Sequence, residues 1–394
     1  MANTYNAGLM PNIIGIAKET LRESAALLGR MNKDFSAASG QVGQVVNIGV
    51  PAALSAAAIT PTNIAPAGTD KTIGNRSLTI DKFYGSTPFA VTGASGQNYD
   101  LNSVMEQQIR EAVRKVIYQA SADTWALYKK IPRIAGTATQ SIFNNGTTAS
   151  IDPLADVFKV LRGALVDPKK YDMVITTTDE ANAKKVTALQ NVNQRGDSSV
   201  MIDGSVGRTQ GFNIFVDHQV PSHTIGTITT GLIAKAATAV AVGQTSFVAT
   251  TAASTGACAL KTGDSITIGS DVYVLAADAT QASAATDVTL TILYGLKTAL
   301  AGSEAITLTT GGGTCYQGIA GDLQGISAVA RIPATEVLGV ATQGNHFPIM
   351  DEVSGMPMLL SFYSQFHQVM FQATALYGVA ITDEDRLVRV QTHA

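Results

Sequence analysis

From Phe35 to Thr69 the chain runs without a single charged residue: FSAASGQVGQVVNIGVPAALSAAAITPTNIAPAGT. Val45–Val50 alternates as a strand does, but the stretch beyond it, broken by Pro51, Pro61 and Pro66, carries few large side chains. Such a stretch cannot bury enough apolar surface to form a core by itself. Arg76–Tyr84 (RSLTIDKFY) then alternates again, with Leu78, Ile80 and Phe83 as its apolar marks. The pattern predicts two strands joined by a long extended loop. Disordered segments are ordinarily rich in charged and polar residues, so a loop this neutral is expected to lie against another molecule.

The rest of the composition points the same way. Charged residues make up 14% of the 394 and aromatic ones 6%, while apolar residues reach 45%. A typical soluble domain carries about 25% charged residues. Here Ala, Gly, Thr and Ser fill the difference. A surface so poor in charge has little to repel neighbouring copies, which suits a chain whose surface other subunits cover. The length suggests two or three structural regions. The net charge is −3 with no basic block, which argues against the clustered Lys/Arg footprint of a specific nucleic-acid binder. Cys258 and Cys315 are too few for a disulfide framework and too far apart for a zinc pattern, and are expected to be buried, reduced thiols. The short apolar stretch 13–17 is interrupted by Gly15 and followed by Lys18 and Glu19. It does not read as a secretory signal, and no run of about 18 apolar residues suggests a membrane span. Synthesis in the cytoplasm is the expectation.

Further elements follow from periodicity. Residues 11–31 read as a helix opened by Pro11, with Ile13, Ala17, Leu21 and Leu28 on one face. Residues 100–131 predict a long helix, with Ser103 and Glu106 at capping-box spacing and Met105, Ile109, Ala112, Val116 and Ala120 as its stripe. Between 150 and 222 helix and strand alternate: helices over 151–165 and 178–189, strands over 171–177 and 211–216. Around residue 223 the composition shifts to Thr, Ala, Gly, Ser and Val. Short strands are expected at 238–242, 246–250, 265–268, 272–275, 288–293 and 305–309, with Gly269-Ser270-Asp271 as a hairpin signal. They predict a small barrel or sandwich inserted into the α/β layer. The layer resumes at 325–332, and the tail holds the strands PMLLSFY, QVMFQATALYGVAI and RLVRV.

Reactive motifs are lacking. Gly311-Gly312-Gly313 has neither the later glycines of a dinucleotide fingerprint nor a P-loop ending, and reads as a turn leaving the inserted region. Gly93-Ala94-Ser95-Gly96 is one residue short of a nucleophile elbow and reads as a bend. Asp217, His218, Ser222 and His223 put triad residue types in one loop, but a triad is defined by spatial geometry and not by adjacency; an ordinary loop is the expectation. Asp383-Glu384-Asp385 reads as an exposed turn, and Asn145-Gly146-Thr147 as a turn and not a glycosylation site. No catalytic, cofactor-binding or metal-ligating residue is predicted, and no enzyme activity.

The order of parts carries more information than any residue. An N-terminal helix, a long loop between strands, a long helix, an α/β layer, an inserted β-region, the rest of the layer and terminal strands follow in turn. This α+β arrangement resembles the major capsid protein fold of tailed bacteriophages, shared with encapsulins and the herpesvirus capsid floor. With its inserted region the chain looks most like the coat proteins of short-tailed Salmonella-type phages, whose members carry an extra β-barrel. RSLTIDKFYGSTPFAVTGASGQNYDLNSV, GDSITIGSDVYVL and QATALYGVAITDEDRLVRV carry the resemblance best. It implies an N-terminal arm helix over 1–35, an extended loop with flanking strands over 36–87, and a peripheral domain with the spine helix over 88–150. An axial domain over 151–222 and 314–348, interrupted by the inserted β-domain over 223–313, and C-terminal strands of the peripheral domain over 349–394 complete it. By the same resemblance, Val50, Pro51, Leu54, Ile59, Pro61, Ile64 and Pro66 would touch a neighbouring subunit. Copies would form hexamers and pentamers of an icosahedral head in the virion, assembled in the host bacterial cytoplasm. Scaffolding protein and portal would be partners, with double-stranded DNA enclosed without sequence-specific binding and no membrane involved. An encapsulin-like nanocompartment shell and a surface adhesin are the alternatives.

Overall fold

The computed structural model describes residues 26–50, 74–92, 104–144, 148–191, 206–228, 231–235, 239–251, 258–281, 286–309, 312–337, 340–342, 344–351 and 354–393. Residues 26–30 are hydrogen-bonded turns, not the end of a helix, and the remainder of the predicted helix over 11–31 lies outside the described residues. Leu27 and Leu28 are buried in these turns. Strand β1 (Asn32–Gly40) follows, then β2 (Val45–Val50) and β3 (Gly74–Thr79), which pair antiparallel from Val45 opposite Thr79 to Val50 opposite Gly74. The predicted single run over 76–84 is divided: β4 (Lys82–Gly85) starts anew after Thr79, and β5 (Phe89–Thr92) completes the group. Helix α1 (Val104–Trp125) follows. Ile109, Val113, Val116, Ile117 and Ala120 form its buried stripe. Its 22 residues span about 33 Å at 1.5 Å per residue. Its C-terminal end comes sooner than the run over 100–131 predicts, because Ala126–Lys130 tightens into a 3-10 turn; residues 100–103 lie outside the described residues.

β6 (Ile134–Gly136) leads to α2 (Asp152–Gly163), which Pro153 opens and whose Leu154, Val157 and Leu161 are buried. β7 (Asp172–Ile175) is followed by α3 (Thr177–Lys185) and α4 (Thr187–Gln190). The predicted helix over 178–189 is thus two helices, parted where Val186 takes an extended backbone conformation with its side chain buried. β8 (Arg208–Thr209), β9 (Phe212–Val216) and β10 (Ser222–Ile225) end this stretch.

Nine short strands come next. They are β11 (Thr227–Ile228), β12 (Leu232–Ala234), β13 (Ser246–Thr251), β14 (Cys258–Leu260), β15 (Ser265–Ile268), β16 (Asp271–Val274), β17 (Ala279–Gln281), β18 (Val288–Thr291) and β19 (Ala305–Leu308). The chain returns through β20 (Gly313–Gly321), β21 (Ile326–Pro333), β22 (Glu336–Val337), β23 (Val340–Ala341), β24 (Asn345–Met350), β25 (Pro357–Gln365), β26 (Gln368–Ile381) and β27 (Leu387–His393).

These elements build two compact units. The described residues of the first fall within Lys33–Val116 and Ser327–Thr382. Its sheet has the order β1-β21-β26-β25-β24, with β4 and β5 also paired to β26. A Cβ at Gly378 of β26 would stand 2.1 Å from the Thr79 carbonyl oxygen. Only glycine admits the chain there, at the point where β3 gives way to β4.

The second unit comprises Ile117–Ile326, Asp383–Ala394 and the turn residues before Lys33. Its mixed sheet has the order β6-β27-β20-β7-β9-β8, with β10 also paired to β20. Leu154, Val157 and Leu161 of α2 pack on Tyr171, Met173, Phe212 and Val388 to make its core. The final strand therefore belongs to this α/β sheet and not with the other C-terminal strands of 349–394. β27 pairs along β20 from Cys315 opposite His393 to Gly321 opposite Leu387.

Within this unit the nine short strands form a three-stranded sheet, β11-β14-β17, and a six-stranded one, β16-β15-β19-β12-β13-β18. The two edges of the six-stranded sheet meet: Leu275 bridges Ile292, with Ala276 N donating to Thr291 O (2.8 Å) and Leu293 N to Val274 O (2.9 Å). Their core, which includes Leu232, Phe247, Leu260, Ile266, Leu290 and Ile306, draws among the described residues on none outside this stretch. β10 and β20, which flank it in sequence, pair with each other from Ser222 opposite Tyr316 to Ile225 opposite Gly313.

Candidate assembly surface and the root of the inserted strands

Among the described residues, the base of the β2–β3 ribbon is anchored to the sheet of the first unit. Gly43 N donates to Ile80 O (2.8 Å) and Ile80 N to Gln44 O (2.9 Å), while Leu78 and Ile80 pack with Val329 and Leu376. Val46 packs against the same cluster and Ile48 is half-buried, whereas Val45, on the other face, is 49% exposed and every residue of β3 except Leu78 is exposed. A two-stranded ribbon by itself is marginal in water, so the exposed outer part of β3 is suited to packing against a further surface. Of the predicted contact residues, Val50 closes β2. Pro51, Leu54, Ile59, Pro61, Ile64 and Pro66 lie outside the described residues.

A second cluster, which the sequence did not suggest, holds the root of the inserted strands to the α/β sheet. Arg389 of β27 is fully buried. Its Nη1 donates to Gly263 O (2.6 Å) and its Nη2 to Ser265 Oγ (2.5 Å). Between those residues lies Asp264, also buried, which accepts from Lys261 N (2.7 Å) and Gly226 N (3.0 Å). The other Asp264 oxygen is 2.8 Å from His223 Nε2, and His223 Nδ1 is 3.0 Å from the Tyr128 hydroxyl. Burial pushes the Tyr128 phenol up to about 12. It stays protonated and can donate to Nδ1, which leaves Nε2–H to donate to Asp264. Burial likewise pulls Arg389 down to about 10, still charged at neutral pH, and pushes the neighbouring Cys315 thiol up to about 11. Gly226 fits because a Cβ there would stand 2.2 Å from Ala259 O and 2.7 Å from Asp264 Oδ2. His223 and Asp264 are committed to holding two layers together, and Cys315 is kept as a thiol. The arrangement is a clamp.

The triad residue types of the 217–223 loop do not converge. Asp217 is buried and accepts from Trp125 Nε1 (3.2 Å) and Gln219 N (2.9 Å). His218 packs against Tyr118, with ring centroids 5.3 Å apart, and Ser222 is exposed. Asp383 and Asp385 are taken up by Arg386 Nε (2.7 Å) and Arg133 Nη2 (2.6 Å). His346 lies between Thr342 (2.8 Å) and Ser361 (2.9 Å). Cys258 and Cys315 are both buried and free. Gly93–Gly96 and Asn145–Thr147 lie outside the described residues, and Gly313 opens β20. Among the described residues no group of three or more His, Cys, Asp or Glu could hold a metal ion, and no helix is long and apolar enough to cross a membrane.

No protein-family model matches the sequence, and neither does any curated protein. Solved structures similar to the chain include the capsid of the cyanophage P-SCSP1u, at 11% identity and a TM-score of 0.49 over 95% of this chain and 90% of that one. The capsid of Ralstonia phage GP4 is similar at 10% identity and a TM-score of 0.47, over 95% and 92%. A structure of Mycobacterium phage Che8 is similar at 11% identity and a TM-score of 0.45, over 88% and 84%.

Proposed function

We propose that this chain is the major capsid protein of a tailed bacteriophage, a structural subunit without catalytic activity. Many copies assemble into hexamers and pentamers of an icosahedral head that encloses double-stranded DNA. The observation that carries the reading is the β2–β3 ribbon, exposed beyond its base and continuing into a neutral, proline-broken sequence. A neighbouring copy supplies the missing surface, and the ordering cost is met on assembly. Val50, Pro51, Leu54, Ile59, Pro61, Ile64 and Pro66 make that contact. The first unit corresponds to a peripheral domain, and the α/β sheet of the second to an axial domain.

The six-stranded sheet with bridged edges is read as a small inserted β-barrel. Its place between β10 and β20, within the axial layer, supports the likeness to short-tailed Salmonella-type phages. By the same reading a scaffolding protein and a portal are assembly partners, and the mature location is the virion. Size-exclusion chromatography and negative-stain microscopy of the purified chain, alone and with a scaffolding protein, test the proposal. Closed shells are the expected product. A chain that stays strictly monomeric under all these conditions overturns it.

A further inference from the structure

Helix α2 ends in a turn that holds a leucine where glycine would be at ease. Leu165 N donates to Arg162 O (3.0 Å) and Val166 N to Leu161 O (3.3 Å). This pair of bonds is the Schellman motif, whose residue after the C-cap takes a left-handed backbone and is usually glycine. Leu165 occupies that position at φ +60° and is 92% exposed. A bulky residue held there is strained, and its side chain gains no burial within the chain in return. Gly163 stands two residues early, inside the helix, where its freedom is wasted. The turn is fixed from below, because Val166 is buried and the Tyr171 hydroxyl donates to its carbonyl oxygen (3.0 Å). Leu165 is thus held outward on a rigid base, between half-buried Ala164 and Pro168.

Positive charge surrounds it. Lys159, Arg162, Lys169 and Lys170 put four basic residues into twelve, and no other window of that length in the chain has as many. All four are exposed. One acid lies among them, Asp167, whose carboxylate is engaged in capping the next turn by accepting from Lys169 N (3.1 Å). Lys170 stands 3.9 Å from the buried Asp322, which Arg386 already meets at 3.2 Å. Copies of this surface meeting about a symmetry axis would bring like charges together and repel, which argues against a second copy. A phosphate backbone would engage the cations and leave the leucine idle. A helix with an apolar stripe flanked by Asp and Glu uses both features, and complementary charge is the usual means of steering unlike partners. We propose that the Leu165 turn docks an acidic amphipathic helix of a second protein. Leu165 sets into the apolar stripe of that helix, and Lys159, Arg162, Lys169 and Lys170 face its carboxylates. The inference goes beyond the shell reading and does not depend on it.

The probe is a fluorescein-labelled synthetic helix with a leucine stripe flanked by glutamates, and a control helix carries lysine at every glutamate position. Anisotropy titrations with the full, unassembled chain are expected to show binding of the glutamate helix alone, weakening as salt rises. Leu165→Gly should weaken that binding about tenfold, the scale of one leucine lost from an apolar contact. Its melting temperature should hold or rise, because glycine relaxes the turn. Arg162→Glu combined with Lys169→Glu should weaken binding at least as much. The photo-reactive residue p-benzoylphenylalanine at position 165 should cross-link to the glutamate helix. No binding of that helix, equal binding of the lysine helix, or binding that Leu165→Gly leaves unchanged would each overturn the proposal. So would Leu165-dependent binding to phosphatidylglycerol vesicles or to a DNA duplex in place of the helix, or cross-links from position 165 to a second copy of the chain. Because the readout uses unassembled chains, it stands whether or not shells form.

Discussion

Arg389 concentrates the residue-scale energetics. It is a fully buried charge whose two terminal nitrogens are committed to Gly263 O and Ser265 Oγ, with Asp264 held between those residues by His223. Arg389→Met keeps much of the volume but strands both acceptors and removes the cation near the Asp264 carboxylate. We expect a loss of about 3–5 kcal/mol, the usual consequence of breaking a buried charged network, measured by urea unfolding of the monomer. Tyr128→Phe removes one donor to His223 and should cost about 1 kcal/mol by the same measurement. Nothing in RLVRV announces this role. Alternation assigns a lone arginine in an apolar strand to the solvent face, yet β27 is buried at every position from Leu387 to Thr392. Its partners lie in a turn of the inserted strands, a distant part of the chain that no local pattern connects to it.

At the scale of elements, the inserted strands behave as a fold of their own. Every described buried residue of their core lies between Leu232 and Ile306, with Ile228, Val240 and Leu308 packed against it. A fragment covering 226–312 should therefore unfold in one cooperative thermal transition, though at a lower temperature than within the whole chain, since His223 and Arg389 no longer brace Asp264. Calorimetry of the fragment checks this; a broad, non-cooperative trace would contradict it. Acid gives a second handle. The Thr262 hydroxyl, with Thr262 N and Lys261, holds Asp278 down to about 2 from 3.8. A carboxylate depressed in the folded state adds stability above its unfolded value, and that stability is lost as pH falls toward the folded one. The melting temperature of the fragment should thus fall between pH ~4 and ~2, and Asp278→Asn should flatten the fall within that window. The hairpin at Gly269–Asp271 and the strands near 246–251, 265–268 and 288–291 were legible from alternation and turn residues. Leu232–Ala234, Cys258–Leu260 and Ala279–Gln281 were not, because three residues are too few to display a period. The expected strand at 238–242 reduces, in its described part, to a single bridge between Val240 and Leu300. The meeting of the sheet edges depends on pairing between Leu275 and Ile292, which alternation cannot report.

On the scale of the whole molecule, the strand pair that brackets the neutral segment was the most legible feature, and the division of the chain the least. β2 falls where alternation placed it, and its antiparallel pairing with β3 fits two strands framing a long loop. Yet β27 leaves its neighbours in sequence to close the α/β sheet, because Leu387–Thr392 finds burial on both faces beside β20. Hydrophobicity alone cannot say which of two sheets a buried strand will join. The arm also separates folding from assembly. Leu78 at its base is 1% exposed and packs with Val329 and Leu376, so Leu78→Ala should cost the monomer about 2–4 kcal/mol through the cavity it leaves. Leu54→Asp and Ile59→Asp alter residues proposed to touch only a neighbour. They should change monomer stability by no more than about 0.5 kcal/mol. In the proposed shell each would place a charge in a segment that has none from Phe35 to Thr69, and burying it there would cost desolvation. Denaturant titration of monomers, paired with sucrose-gradient sedimentation of assembly reactions, resolves the two classes. Leu78→Ala should shift the unfolding midpoint, whereas Leu54→Asp and Ile59→Asp should leave it in place and move the protein from the particle fraction to the top of the gradient. Equal losses of monomer stability in all three would mean that the arm folds back on its own chain instead of reaching a neighbour.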